Sequence, residues 1–184
     1  MTSRGPDDDA LTWNVAGLLA DPPGSERAYS IDGVRIELDD LRLAAPIAGR
    51  VRLQRTNRGI LATADLRAAL ALECSRCLRE IDYPVEVQVV EEFLPSIDLS
   101  TGKPVPTGDE PDALRLTDHH EVDLETPVRE AIQLAEPIAP LCRPDCPGLC
   151  IVCGGRLDEG THDHPDDDID PRLEALRAFR APDD

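Results

Sequence analysis

Apolar and polar residues alternate along the first half of the chain with a period of two, which is typical of β-strands. Every even position from 60 to 74 is apolar. The same alternation is found around Val51, at 83–94 and at 34–43, and TNRG at 56–59 supplies the turn of a hairpin. We therefore expect an antiparallel β meander that curls into a sandwich or a partly closed barrel.

Two helices are predicted in the second half of the chain. Residues 123–137 (DLETPVREAIQLAEP) place apolar side chains at helical spacing, begin with acidic residues and end at a proline. Either Asp123 or Thr126 is a suitable N-cap for this helix. Residues 170–179 (DPRLEALRAF) predict a short amphipathic helix that begins at Asp170. The fold class is therefore α+β.

Composition divides the chain into three regions. Residues 1–94 are rich in β-strand signals. Residues 95–118 are rich in Pro, Gly, Asp and Thr and predict a mobile, acidic loop. Residues 119–184 combine the helical segments with most of the cysteines, and we expect them to form a helical, zinc-binding region.

The chain lacks the signals of a secreted or membrane protein. No apolar run approaches the roughly 20 residues that cross a bilayer. The first residues, MTSRGPDDDALTWN, contain no apolar segment of a secretory signal. We expect a cytoplasmic protein with no membrane partner, whose six cysteines are not stored as disulfides in a reducing compartment.

The spacing of the cysteines indicates a metal site. Cys74 and Cys77 form a C-x2-C pair, and four more cysteines fall within twelve residues: Cys142, Cys146, Cys150 and Cys153. A C-x2-C pair lets two thiolates reach one tetrahedral ion from a tight turn. Thiolate ligands favour zinc, with an iron–sulfur cluster as the alternative. Neither C-x2-C pair lies between a strand and a helix of a βαβ unit, which argues against a thioredoxin-like redox role.

Several sets of four ligands are compatible with this spacing. We expect a local site formed by the four tail cysteines, Cys142, Cys146, Cys150 and Cys153, because closing a short loop costs less entropy than closing a long one. A zinc ribbon that pairs Cys74 and Cys77 with the last two tail cysteines is the alternative. His162 and His164, in the polar run EGTHDHPDDD, are further candidate ligands.

The order of these elements resembles the YceD family, which is named large ribosomal RNA subunit accumulation protein. The similarity covers about residues 11–179, and its most specific parts are CSRCL at 74–78 and CPGLCIVCGGRL at 146–157. Some members keep only the first C-x2-C, which implies a tail site separate from that pair. This chain has His162 and His164 where relatives often place further cysteines. The resemblance implies a bacterial factor in the accumulation of large-subunit ribosomal RNA.

Charge is distributed unevenly along this acidic chain. The net charge is −18, which argues against wrapping bare nucleic acid. Residues 50–79 nevertheless carry seven arginines against two acids, which leaves −23 for the rest of the chain. A basic hairpin could contact ribosomal RNA through Arg50, Arg52, Arg55 and Arg58, while the acidic body binds a basic ribosomal protein. Alternatively, these arginines are the solvated face of a sheet.

Motifs of known enzyme classes are missing from the sequence. It contains no P-loop, nucleophile elbow, dinucleotide fingerprint or H-E-x-x-H. DHHEVD at 118–123 is the one cluster with catalytic residue types. A zinc ion closed off by four thiolates has a structural role, because it leaves no position for water. We expect a non-enzymatic factor in ribosomal RNA accumulation and assembly of the large subunit, with no small-molecule substrate; the alternative is a metal-dependent RNA-processing enzyme.

Overall fold

The computed structural model of this protein describes residues 10–106 and 110–164, together with Arg172. In chain order its elements are β1 (Thr12–Asn14), α1 (Ala16–Ala20), β2 (Glu26–Val34), β3 (Leu43–Arg55), β4 (Ile60–Glu73), β5 (Glu80–Phe93), β6 (Glu121–Asp123) and α2 (Glu125–Leu134). Antiparallel strands dominate and helices are few, which confirms the predicted α+β class. Within these residues no helix has the length and hydropathy to span a membrane.

Strands β2 to β5 form one antiparallel sheet in which each strand pairs with its neighbour along the chain. This is the meander that the alternating pattern predicts. The sheet is open, because β2 and β5 are its edges and are not paired with each other in the described part of the chain. The predicted curling into a sandwich or a partly closed barrel is therefore not confirmed. A separate two-stranded sheet pairs β1 with β6 and leads into α2.

One face of the sheet carries the hydrophobic core. The buried positions of β4 are the even ones, as predicted: Ile60, Ala62, Ala64, Leu66, Ala68 and Leu70. Helix α2 packs against β5 and contributes the buried side chains of Val128 and Ile132. The turn at the far end of the long β4–β5 hairpin belongs to a second, smaller cluster that contains Cys74, Cys77 and Cys146.

The strand predicted at 34–43 is wrong. Only the two end residues of this stretch belong to strands, and residues 35–42 form none. Their backbone instead runs beside α2, where the Arg129 guanidinium donates to the Glu37 carbonyl at 3.0 Å. The alternating apolar side chains still pack against the core. The alternation therefore reflects burial of one side of this segment, although the segment is not part of a β-strand.

Helix α2 begins within two residues of the predicted start. Leu124 occupies the N-cap position and makes no side-chain capping bond, so neither Asp123 nor Thr126 is the N-cap. The carboxylate of Asp123, one residue earlier, accepts a hydrogen bond from the amide of Glu125 at 2.9 Å. The helix predicted at 170–179 lies outside the described residues, apart from Arg172.

The segment predicted as a loop returns the chain to the end of β5. Its described parts, 95–106 and 110–118, contain no helix or longer strand. An isolated parallel bridge joins Leu94 to Arg115, and Leu116 beside it is buried. The segment thereby places β6 and α2 next to the core. The cysteine-rich tail follows α2.

Candidate metal centres

The turn between β4 and β5 holds the first cysteine pair. The amide of Leu78 donates to the Cys74 carbonyl at 2.9 Å, and the amide of Cys74 donates to the Arg79 carbonyl at 2.8 Å. Leu78 has a φ of 55°, in the left-handed region that closes such a turn. Cys74 and Cys77 are both almost completely buried.

Two tail cysteines meet this turn. The Sγ atoms of Cys74 and Cys146 are 3.8 Å apart, and those of Cys77 and Cys142 are 3.7 Å apart. All four sulfur atoms lie within 4.8 Å of one another, a set that we call the four-cysteine group. Thiolates bound at about 2.3 Å around one tetrahedral zinc ion lie about 3.8 Å apart. The group therefore matches a single ion, whereas an iron–sulfur cluster distributes four thiolates over two or four irons and spreads the thiolates further.

Backbone contacts fix the tail against the turn. The amide of Ser75 donates to the carbonyl of Pro140 at 2.8 Å. The guanidinium of Arg76 donates to the Cys146 carbonyl at 3.0 Å, so two donors of the turn hold carbonyls of the tail. These contacts position the ligands without relying on the thiols themselves.

The thiols of the four-cysteine group differ in acidity. The backbone amide of Cys142 lowers the pKa of the Cys74 thiol to about 6. Burial raises the pKa of the Cys142 thiol to about 12, and burial also raises the pKa of Cys146. Thiolates at buried positions need a nearby cation, which a metal ion supplies. The donor chemistry of the group therefore fits a metal ion.

A second group lies further along the tail. The amide of Cys150 donates to the Gly155 carbonyl at 2.7 Å, and the amide of Gly154 donates to the Cys150 carbonyl at 2.8 Å. Gly154 has a φ of 70°. These are the same hydrogen bonds, at the same spacing, as in the β4–β5 turn. The two C-x2-C pairs therefore form the same kind of turn.

Two histidines complete this second group. The thiols of Cys150 and Cys153 and one ring nitrogen each of His162 and His164 lie within 4.8 Å of one another, and we call them the Cys2His2 group. The Cys153 Sγ is 3.3 Å from Nδ1 of His162. Cys153 is exposed, and the two histidines are half-buried.

The structure divides the four tail cysteines between two groups. Cys142 and Cys146 join the pair at the β4–β5 turn, while Cys150 and Cys153 join His162 and His164. This arrangement differs from the local site of four tail cysteines. It also differs from the zinc ribbon, which leaves two of the tail thiols without a role. The β meander and α2 already bring the turn and the tail together, so the entropy of closing the long loop does not count against the distant pair.

The candidate RNA-binding arginines have different surroundings. Arg50 and Arg52 are exposed on β3, with Arg50 in register with Asp65 of β4. The guanidinium of Arg55 donates to main-chain carbonyls, including that of Gly59 at 3.0 Å. Other arginines of this stretch pair with acids, as Arg58 does with Glu92 and Glu110 and Arg79 does with Asp158 and Glu159. The positive charges of Arg58 and Arg79 are thus compensated by acids within the molecule.

The DHHEVD run forms no metal-binding cluster in the described part of the chain. The only groups there with three or more suitable side chains close enough to share an ion are the two cysteine-containing ones. Glu121 instead accepts a hydrogen bond from the Thr117 hydroxyl at 3.1 Å, and the last three residues of the run form β6.

The chain is similar to one protein family and to mycobacterial proteins. The family model described as "Large ribosomal RNA subunit accumulation protein YceD" matches residues 62–180. Uncharacterized proteins of Mycobacterium tuberculosis and Mycobacterium bovis are each 37% identical over 158 residues, which is 85% of this chain and 73% of theirs. One from Mycobacterium leprae is 34% identical over 156 residues, covering 84% of this chain and 68% of the relative. No solved structure matches the chain.

Proposed function

Because this chain belongs to the YceD family, we propose that it supports the accumulation of large-subunit ribosomal RNA as a non-enzymatic factor with a structural zinc site. The observation that carries the proposal is the four-cysteine group, of which Cys74, Cys77 and Cys146 are buried. Four thiolates complete a tetrahedral shell and leave no position for a reacting water molecule. An ion bound there stabilises the fold and performs no hydrolysis.

The zinc ion would join two distant parts of the chain. Cys77 and Cys142 are 65 residues apart, and the group connects the β4–β5 turn to the tail. Because metal binding of this kind contributes directly to folding free energy, loss of the ion is expected to release the tail from the hairpin. The ribosomal role then depends on a tail that zinc orders.

The metal content of paired cysteine variants tests the zinc assignment. Replacing Cys74 and Cys77 by serine, and separately replacing Cys142 and Cys146, should each remove the same single zinc ion, measured by elemental analysis of protein purified without added metal. His119→Ala is the matched control, since this exposed histidine belongs to neither group and its loss should leave the zinc content unchanged. Retention of all bound zinc after loss of Cys74 and Cys77 would contradict the assignment.

The cellular role is tested with the same variants. A strain whose only copy carries Cys74→Ser and Cys77→Ser should accumulate less large-subunit than small-subunit ribosomal RNA, at matched levels of the protein. An unchanged ratio in a strain that lacks the protein altogether would reject the ribosomal role. An unchanged ratio in the variant strain alone would reject only the need for the metal.

We propose that the direct partner is a basic protein of the large ribosomal subunit. The chain outside residues 50–79 carries a net charge of −23. Arg58 and Arg79 form ion pairs inside the molecule, and the guanidinium of Arg55 is held by main-chain carbonyls, which weakens the case for the hairpin as the main RNA contact. Complementary charge speeds encounter with a basic protein and favours it over nucleic acid.

A nuclease-treated pull-down separates the two partners. The tagged protein is recovered from growing cells at moderate salt, and the complex is then treated with nuclease. A basic ribosomal protein that remains bound supports the proposal. Loss of every partner together with the RNA would transfer the binding role to the exposed arginines, Arg50 and Arg52.

A further inference from the structure

We propose that the Cys2His2 group binds a second zinc ion, independently of the first, at a site that releases its metal to a chelator sooner than the four-cysteine group. Its four ligand atoms lie within 4.8 Å of one another. Two thiolates and two imidazoles are a donor set that zinc accepts in tetrahedral geometry. This inference goes beyond the ribosomal role and does not depend on it.

His162 is oriented as a metal ligand. Its Nε2 lies 2.8 Å from the Arg156 carbonyl, to which a ring N–H at this position donates. That hydrogen bond leaves the lone pair of Nδ1 free on the side of Cys153, whose Sγ is 3.3 Å away. Metal-bound histidines usually donate their other nitrogen to such a carbonyl. A sulfur and a nitrogen that share one tetrahedral zinc ion are about 3.6 Å apart, close to the observed distance.

His164 provides an independent indication. Its Nε2 is buried and has no hydrogen-bond partner within residues 10–106 and 110–164. A buried polar atom without a partner is unfavourable and calls for an explanation. Because the ring belongs to the same group as two thiols and His162, a shared metal ion accounts for its position.

The turn that carries Cys150 and Cys153 is shaped for metal binding. It repeats the hydrogen bonds of the β4–β5 turn, and the amide of Gly155 lies 3.4 Å from the Cys153 sulfur, where it can donate to a thiolate. A Cβ on Gly155 would lie 2.9 Å from the Cε1 atom of His162. Glycine is therefore required here for the imidazole to approach the thiol.

The two sites differ in how easily solvent reaches them. Cys74 is 0% exposed and Cys77 is 1% exposed, whereas Cys153 lies on the surface. A chelator can begin at the exposed Cys153, whereas Cys74, Cys77 and Cys146 become accessible only when the tail opens. The Cys2His2 group should therefore exchange zinc faster than the four-cysteine group.

Zinc stoichiometry and release kinetics test the proposal. The full-length protein should contain two zinc ions, and a chelator should remove one in a fast phase and one in a slow phase. Replacing His162 and His164 by alanine should abolish the fast phase and leave one ion. His119→Ala is the matched control, because this exposed histidine belongs to neither group, and it should retain both phases. A single ion in the unmodified protein that is unaffected by loss of both histidines would overturn the proposal.

Two further measurements keep the test decisive if a variant misfolds. Cobalt titration of the unmodified protein should give one site with the absorption of four thiolates and another with the weaker charge-transfer absorption of two thiolates. Gly155→Ala retains all four ligands and should accelerate only the fast phase. Identical spectra for both equivalents, or a fast phase that Gly155→Ala leaves unchanged, would contradict binding by this group.

Discussion

Leu78 and Gly154 hold the same place in two equivalent turns. Each follows the second cysteine of its C-x2-C pair, and each has a positive φ, 55° for Leu78 and 70° for Gly154. Glycine adopts this conformation without steric cost, whereas a leucine does not. The side chain of Leu78 is also 57% exposed, so packing offers little compensation. The β4–β5 turn therefore contains backbone strain that its counterpart avoids.

Substitution at Leu78 should show this strain. Leu78→Gly is expected to have a free energy of unfolding about 1 kcal/mol higher than Leu78→Ala, because alanine keeps the Cβ that the left-handed region disfavours. Chemical denaturation of the zinc-loaded proteins measures the difference. Gly154→Ala should lower stability at the equivalent position. Equal stability of the two Leu78 variants would show that the turn is not strained.

The sequence predicts the turns better than it predicts their partners. The C-x2-C spacing predicts a tight turn at each pair, and both pairs form one. His162 and His164 are visible as candidates, but their polar surroundings also fit exposed histidines. His162 is brought to Cys153 by the space beside Gly155 and by its hydrogen bond to the Arg156 carbonyl, and cysteine spacing predicts neither feature.

At the scale of elements, a helix or strand can be predicted from hydrophobic periodicity when one of its faces is buried. Strand β4 and helix α2 bury one face each, so their periods of two and of about 3.6 are clear in the sequence. Strand β2 is an edge strand with only Ile31 buried, and its alternation is too weak to be predicted. Residues 35–42 alternate but pack beside α2 without strand pairing.

The packing of α2 on the sheet gives a prediction at this scale. Ile132→Ala should lower the free energy of unfolding by about 2–5 kcal/mol, because the side chain is fully buried and its removal leaves a cavity. Leu134→Ala on the exposed side of the same helix is the matched control and should change stability by no more than about 0.5 kcal/mol. Urea denaturation followed by circular dichroism measures both. Comparable losses for the two variants would contradict the packing of α2.

At the scale of the whole molecule, the pairing of cysteines follows the path of the chain. Loop-closure entropy favours neighbours in the sequence, but the hydrogen bond from Ser75 to Pro140 places the tail at the β4–β5 turn. The folded meander and α2 thus determine which thiols meet. Such long-range placement cannot be deduced from cysteine spacing in a single sequence.

Zinc X-ray absorption spectroscopy tests the central claim most directly. The protein in which Cys150 and Cys153 are replaced by serine retains only the four-cysteine group, so its spectrum reports that site alone. The account predicts one zinc ion surrounded by four sulfur atoms at about 2.3 Å. A shell that contains nitrogen or oxygen, or a folded protein that binds no zinc, would contradict a structural site built from Cys74, Cys77, Cys142 and Cys146.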